Sequence, residues 1–263
     1  MLTLKGHRAL VTGATQGVGR AIALALARAG ADVVLHGLRS DAQSDQTRAM
    51  CVATGVQVKV VEGDLSSDPV QAAQRLFHDA TTALPGIDLL VNNAGTCLDT
   101  VPFLEVSAEV FERTMRLNVH APFFLTQQFA RDWVGAGRQG RVLFTGSING
   151  RLAEPNHAAY DTSKGAIEMM VKTLCVSLAP KGIRVNGMAP GLVRTPLTEA
   201  FLSDPTAMAW MQMHTPNGAV PGPDVCGEAA AFLLSDAAWH IHGQMLLVDG
   251  GMSVWQQPDP PPA

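Results

Sequence analysis

Tyr160 is the only tyrosine in the chain, and Lys164 follows it four residues on, in Tyr160-Asp161-Thr162-Ser163-Lys164. Within a helix that spacing is about one turn, so both side chains share a face. A phenol titrates near pH 10 and is a poor base at neutral pH. An ammonium about 4 Å away, at an effective dielectric of 20, attracts a phenolate by roughly 4 kcal/mol. That corresponds to about three pKa units before desolvation takes some back. The pair therefore suits proton transfer to or from an oxygen. Ser147 stands 13 residues earlier, at the end of a predicted strand, where its hydroxyl can donate to a carbonyl or alkoxide oxygen. Each feature alone has a plainer reading: a half-buried Tyr with a surface Lys one turn on, and a turn serine.

A second group could hold phosphate. Thr12-Gly13-Ala14-Thr15-Gln16-Gly17-Val18-Gly19 runs from a predicted strand into a predicted helix. Glycines there permit a tight turn and let backbone amides approach an anion, and the helix N-terminus adds unpaired N–H groups. The position between strand and helix is what raises this loop above an ordinary glycine turn. The second strand ends in Leu35-His36-Gly37-Leu38-Arg39-Ser40, with no acid at Gly37 to hold a ribose diol. Arg39 could pair with a 2′-phosphate, with His36 and Ser40 as helpers. NADP(H) is accordingly expected over NAD(H). The competing reading is a solvated Arg beside a cofactor that needs no acid.

Positioning these groups requires strands that alternate with helices. Strands are expected at Arg8–Thr12, Asp32–Leu35, Val56–Val61, Leu89–Asn92, Arg141–Thr145, Arg184–Met188 and Gln244–Val248. Helices are expected near Val18–Ala29, Pro69–Ala83, Ala108–Trp133 (bent at Pro122), Ala158–Leu178 and Asp224–Leu234. The alternation implies right-handed crossovers and a doubly wound parallel sheet. Leu192–Gly222 interrupts it with four prolines and the cluster Met208, Trp210, Met211 and Met213. It reads as a lid over the substrate or as a surface excursion. The Pro-rich stretch 256–263 reads as a disordered tail, leaving 1–255 as a single cofactor-binding and catalytic domain.

The glycine spacing departs from Gly-x-Gly-x-x-Gly: three residues separate Gly13 from Gly17, and one separates Gly17 from Gly19. With Asn92-Asn93-Ala94-Gly95, Ser147, Tyr-x-x-x-Lys, Pro190-Gly191-Leu192-Val193-Arg194-Thr195 and Asp249-Gly250-Gly251, the chain resembles the short-chain dehydrogenase/reductase family from Lys5 to Met252. The resemblance implies a Rossmann-type fold with seven parallel strands and helices on both faces. It also implies hydride transfer between a nicotinamide cofactor and a carbonyl or secondary alcohol. On it, Ser147, Tyr160, Lys164 and Asn118 are the catalytic set, Asn118 holding a water that relays protons. Gly13, Thr15, Gln16, Gly17, Val18, Gly19, Arg39, Asp64, Leu65, Asn92, Ala94, Gly95, Tyr160, Lys164, Pro190, Gly191, Val193 and Thr195 are the expected cofactor contacts. Asp64 could instead be a helix cap, and Asn118 a buried amide satisfying backbone near Pro122. The family is commonly tetrameric, so a homotetramer or homodimer is expected.

Asn149, Glu154, Asn156 and His157 flank the catalytic residues in sequence and are expected to wall the substrate pocket. Their polarity favours a sugar, polyol or hydroxy acid. The apolar Leu152, Met208, Trp210 and Met211 leave a 3-oxoacyl thioester or a simple ketone open. A non-catalytic cofactor-binding sensor is the alternative of another kind. A formal charge of −4 opposes nucleic acid as a partner. No run of 18 apolar residues points to a membrane, and the N-terminus lacks a signal-peptide pattern. Cys51, Cys97, Cys175 and Cys226 are scattered without Cys-x-x-Cys, which suits reduced thiols in a cytoplasmic protein and gives no metal-ligand spacing.

Overall fold

A computed structural model describes residues 2–255. Seven strands form one all-parallel sheet in the order β3-β2-β1-β4-β5-β6-β7. They are β1 (Arg8–Val11), β2 (Asp32–Gly37), β3 (Val58–Glu62), β4 (Leu89–Asn92), β5 (Gly140–Thr145), β6 (Ile183–Pro190) and β7 (Met245–Val248). The helices are α1 (Gly17–Arg28), α2 (Ala42–Val52), α3 (Pro69–Ala83), α4 (Ala108–Met115), α5 (Ala121–Gly135), α6 (Ala158–Leu178), α7 (Glu199–Leu202), α8 (Pro205–Met213) and α9 (Asp224–Leu234). All seven expected strands are present, as is the expected doubly wound sheet.

Strand residues alternate between two cores, as the pleat demands. Ala9, Val11, Val33, Leu35, Leu89 and Val91 pack with α1 and α9 on one face. Leu10, Val34, Leu90, Val142 and Phe144 pack with α3, α5 and α6 on the other. Both faces are covered, so the strands read as continuous apolar runs.

Two differences from the sequence expectations are informative. Helix α2 was not expected. Its buried residues are Ser44, Thr47 and Cys51, so little apolar periodicity betrays it, although Asp41 and Ser44 form a reciprocal capping box. The single helix expected over 108–133 is two helices joined by a π turn at Arg116–His120. Pro122 lies in the first turn of α5, where its missing N–H costs little, so the irregularity precedes the proline. Within 192–222 lie two short helices, α7 and α8. Helix α8 buries none of its residues, and Trp210, half-exposed, stacks on His214 at 3.7 Å between ring centroids. The stretch 256–263 lies outside the described residues. Among the described residues no helix is long and apolar enough to cross a membrane.

Candidate active site

The order β3-β2-β1-β4 places the start of the sheet's second half beside β1, and a cavity of about 340 Å³ opens there beyond the carboxyl ends of the strands. Its floor is the loop from β1 into α1. The first residues of α1 are not capped by the Gln16 side chain, which leaves helix N–H groups for a ligand. Gly13, Thr15, Gln16, Gly17, Val18 and Gly19 line this end. Gly19 is required by contact rather than by its backbone angle: a Cβ there would lie 2.0 Å from the Gly13 carbonyl oxygen and 2.4 Å from Asn93 Nδ2.

The loop is tied to the one after β4 through Thr12 and Asn93. Thr12 Oγ1 accepts from the Asn93 and Ala94 amides at 2.9 and 3.0 Å. Asn93 Nδ2 donates to the carbonyls of Thr12 and Gly13, and its Oδ1 accepts from Thr145 at 3.2 Å. Asn93 lines the cavity with Ala94 and Gly95. Asn92 was the expected contact, but it does not line the cavity. It is buried and donates to Thr126 at 2.9 Å, so it anchors β4 to α5. Strand alternation places adjacent side chains on opposite faces, and the sequence alone did not say which asparagine faced the ligand.

Ser147, Tyr160 and Lys164 line the same cavity, with Thr145 at the end of β5 and Gly146 just after it. Pro190, Gly191, Val193 and Thr195, following β6, close its other wall. Lys164 is buried, donates to the Thr145 carbonyl at 3.0 Å and lies 5.5 Å from the Tyr160 ring centroid. Asn118 is also buried. Its Oδ1 accepts from the Thr96 amide at 2.8 Å, and its Nδ2 donates to the Thr96 carbonyl and to Ser163. The side chain thus pins the loop after β4 to α6, while its neighbour Leu117 lines the cavity.

The electrostatics reverse the simple expectation for the Tyr–Lys pair. Burial pushes the Tyr160 phenol up to about 12, a hydrogen bond with Ser147 pulling back against it; Cys97, Asp161 and Glu154 add to the rise. Burial also brings Lys164 down to about 8. Desolvation disfavours both charges, and the attraction calculated for a solvated pair is outweighed. The protonated phenol is therefore the resting form at neutral pH.

Several expected residues lie elsewhere. Arg39 is largely exposed and 3.8 Å from Asp41, and it does not line the cavity. His36 cannot assist a phosphate. It is 3% exposed, its Nδ1 accepts from the Gly13 amide, its Nε2 donates to the Gly63 carbonyl, and burial brings it down to about 4. Asp64 accepts from Ser66 while Asp68 caps α3, and Leu65 is buried in the core. Asn149, Glu154, Asn156 and His157, expected to wall the substrate pocket, do not line the cavity; Asn149 contacts Ser147 and joins Glu154 and His157 in a polar cluster. Asn149 Nδ2 donates to Glu154 and to Asp161, and His157 Nδ1 lies 3.1 Å from Glu154. Asn156 is exposed near them.

Asp99 is a further residue at this site, without a local signal in the sequence. Its carboxylate is fully buried and accepts from the Ala159 amide at 2.6 Å and more distantly from the Tyr160 amide. It caps α6 from another loop, where His157 at the N-cap position provides no side-chain cap. A local capping motif would have been visible in the sequence; a cap supplied from 60 residues away is not.

The cavity fits a nicotinamide dinucleotide: it joins a helix N-terminus with no side-chain cap, a loop whose Gly19 has no room for a Cβ, and the Tyr160 phenol beside Lys164. Among the described residues no cluster of His, Cys, Asp or Glu could hold a metal ion. A family model described as enoyl-(acyl carrier protein) reductase matches residues 13–253. L-rhamnose 1-dehydrogenase (NAD(P)(+)) of Sphingomonas sp. (strain SKA58) is 34% identical over 254 residues, covering 97% of this chain and 99% of that protein. Gluconate 5-dehydrogenase of Gluconobacter oxydans is 35% identical, covering 97% of each. The crystal structure of a gluconate 5-dehydrogenase from Burkholderia cenocepacia in complex with NADP and tartrate superposes with a TM-score of 0.89 at 31% identity, covering 97% of this chain and 98% of that one. Agreement over nearly the whole length, on top of the motifs and their placement, makes this chain a member of the short-chain dehydrogenase/reductase family.

Proposed function

We propose that this oxidoreductase interconverts a secondary alcohol and a carbonyl on a sugar, polyol or hydroxy acid, and that 1–255 act as one domain with 192–222 as its lid. The observation that carries the reading is that Ser147, Tyr160 and Lys164 line the same cavity as the glycine loop at the start of α1. The bound nicotinamide supplies or accepts the hydride. Tyr160 gives the proton to the substrate oxygen in reduction and takes it in oxidation. Ser147 donates a hydrogen bond to that oxygen and so stabilises its developing charge. Lys164 sits where it can hold the cofactor's ribose, and Gly13, Gly17 and Gly19 where amides can reach phosphate. Relatives named for rhamnose, glucose and gluconate oxidation support the substrate class.

The same reading favours NADP(H). A Cβ at Gly37 would meet Thr15 Cγ2 at 2.5 Å, so an acidic side chain does not fit there without displacing Thr15. Arg39 is largely exposed and held only by Asp41 at 3.8 Å, which leaves its guanidinium available to a 2′-phosphate. A panel of sugars, polyols, hydroxy acids and aliphatic alcohols, each with NAD and NADP, tests both points. Turnover is expected on the hydroxyl-rich compounds, and Arg39→Ala is expected to lower kcat/KM for NADP about tenfold while leaving NAD unchanged. Activity confined to 3-oxoacyl thioesters or simple ketones would overturn the substrate class.

Self-association through α5 and α6 belongs to the same proposal, as does a cytoplasmic location. An apolar groove between these helices is lined by Phe123, Ala130, Val134, Leu174 and Leu178, and Met169 and Val176 stand exposed on α6. Light scattering is expected to return a dimer or tetramer; a monomer at micromolar concentration would refute this.

A further inference from the structure

The residue after the catalytic tyrosine makes more side-chain contacts with the opposite loop than its position suggests. Asp161 Oδ1 accepts from Asn149 Nδ2 at 2.8 Å, and Asp161 Oδ2 accepts from the Glu154 amide at 2.8 Å. Glu154 Oε1 takes the same Asn149 nitrogen at 3.0 Å. Asn149 in turn faces the catalytic serine twice: its amide N–H donates to Ser147 Oγ at 3.2 Å, and its Oδ1 lies 3.4 Å from Ser147 Oγ. Asn149 is more than nine-tenths buried.

We propose that Asp161, acting through Asn149, is a positioning residue that sets the direction of the Ser147 hydroxyl. The reasoning follows from donor and acceptor types. A carboxylate only accepts, so two carboxylates beside one end of an amide require that end to be the NH₂. A flipped Asn149 would set its carbonyl oxygen against both. The other end, Oδ1, is thereby fixed as an acceptor facing Ser147. With the Asn149 N–H donating to Ser147 Oγ, and the protonated Tyr160 phenol hydrogen-bonded to the same oxygen, the hydroxyl hydrogen has Asn149 Oδ1 as its resting acceptor. It is held in one well, from which a substrate oxygen can take it without a search among rotamers. The same two bonds clamp the 147–157 loop against α6, so Ser147 and Tyr160 keep their separation.

The titratable groups around Tyr160 come from three elements. Helix α6 contributes Lys164 and Asp161; the loop after Ser147 contributes Glu154 and His157; the loop after β4 contributes Cys97 and Asp99. Asp161 and Glu154 disfavour the phenolate. Removing the Asp161 charge therefore moves the rising limb of the oxidation rate to lower pH, which a purely mechanical clamp would not do.

This proposal rests on the alcohol-oxidising function above, and a double-mutant cycle tests it. Asp161→Asn keeps the shape and removes the charge. It is expected to lower the pH-independent kcat for alcohol oxidation about tenfold, with the rising limb displaced to lower pH and NADP affinity within about twofold of wild type. In an Asn149→Ala background the same substitution is expected to change the plateau less than about twofold, because the group it acts through is gone. Glu154→Gln, on the more exposed carboxylate, is expected to give a smaller loss that also vanishes in that background, and it carries the test should Asp161→Asn fold poorly. Equal losses with and without Asn149, or an unshifted pH limb, would overturn the proposal. A wild-type enzyme inert toward every alcohol would instead remove the function on which the proposal stands.

Discussion

Replacing Tyr160 with Phe is expected to lower turnover about 10³-fold or more, a loss of roughly 4 kcal/mol of transition-state stabilisation, with nicotinamide cofactor affinity nearly unchanged. The substitution deletes one oxygen and keeps the ring, which packs edge-on to His157. The fold should therefore persist, and fluorescence titration with NADPH should report a Kd within about threefold of wild type. No other tyrosine in the chain can substitute. Cys97, the nearby alternative proton carrier, is pushed up to about 12 by burial and neighbouring carboxylates, so it stays a thiol and offers no base. The pH dependence follows from the phenol's shift to about 12. A raised phenol is protonated across neutral pH, so reduction, which needs the acid form, is expected to be flat there. Oxidation needs the base form and is expected to climb with pH into the alkaline range. Stopped-flow or steady-state profiles in both directions check this sign. A protein that merely senses cofactor would show the same binding behaviour in wild type and variant, and no turnover in either.

The parts of this molecule that were legible from sequence are those whose cause is local. Apolar runs bounded by glycine and proline announced the strands, and Tyr160 and Lys164 announced themselves by helical spacing. What was not legible depends on chain segments meeting from afar. Helix α2 hides because two of its three buried residues are polar: Ser44 is engaged in the cap with Asp41, and Thr47 finds partners across the fold, accepting from Arg20 and donating to the Thr15 carbonyl. Asp99 could not be recognised because its role exists only once the loop after β4 reaches the start of α6. The direction of the Tyr160 shift also escaped, since a pair energy can be written from spacing whereas a burial cost cannot. His36 looked like a phosphate ligand for the same reason: sequence shows its type and not that both ring nitrogens are already engaged.

The glycine cradle invites the second large effect. Gly19→Ala is expected to weaken cofactor binding about 100-fold, some 2.7 kcal/mol, and to cost stability as well. Alanine is a better helix former than glycine, so propensity alone would make the substitution in α1 favourable by about 1 kcal/mol. Contact decides against it. The added methyl would stand 2.0 Å from the Gly13 carbonyl oxygen and 2.8 Å from its carbon, both backbone atoms that cannot rotate away, and 2.4 Å from Asn93 Nδ2. Relief requires α1 to move off the loop. That movement would break the Asn93 bonds to the Thr12 and Gly13 carbonyls and carry away the N–H groups aimed at phosphate. Overpacking of this kind costs about 1–3 kcal/mol, which for a chain of this size lowers Tm by about 2–12 °C. Gly135→Ala is the matched control, since nothing lies within 4 Å of its added methyl at the end of α5. It should leave both cofactor affinity and Tm near wild type. Measuring the pair by calorimetry and NADPH titration separates contact from propensity. If Gly19→Ala bound cofactor as tightly as Gly135→Ala, α1 would not be held against the phosphate loop as described, and the assignment of this end of the cavity to the cofactor would fall.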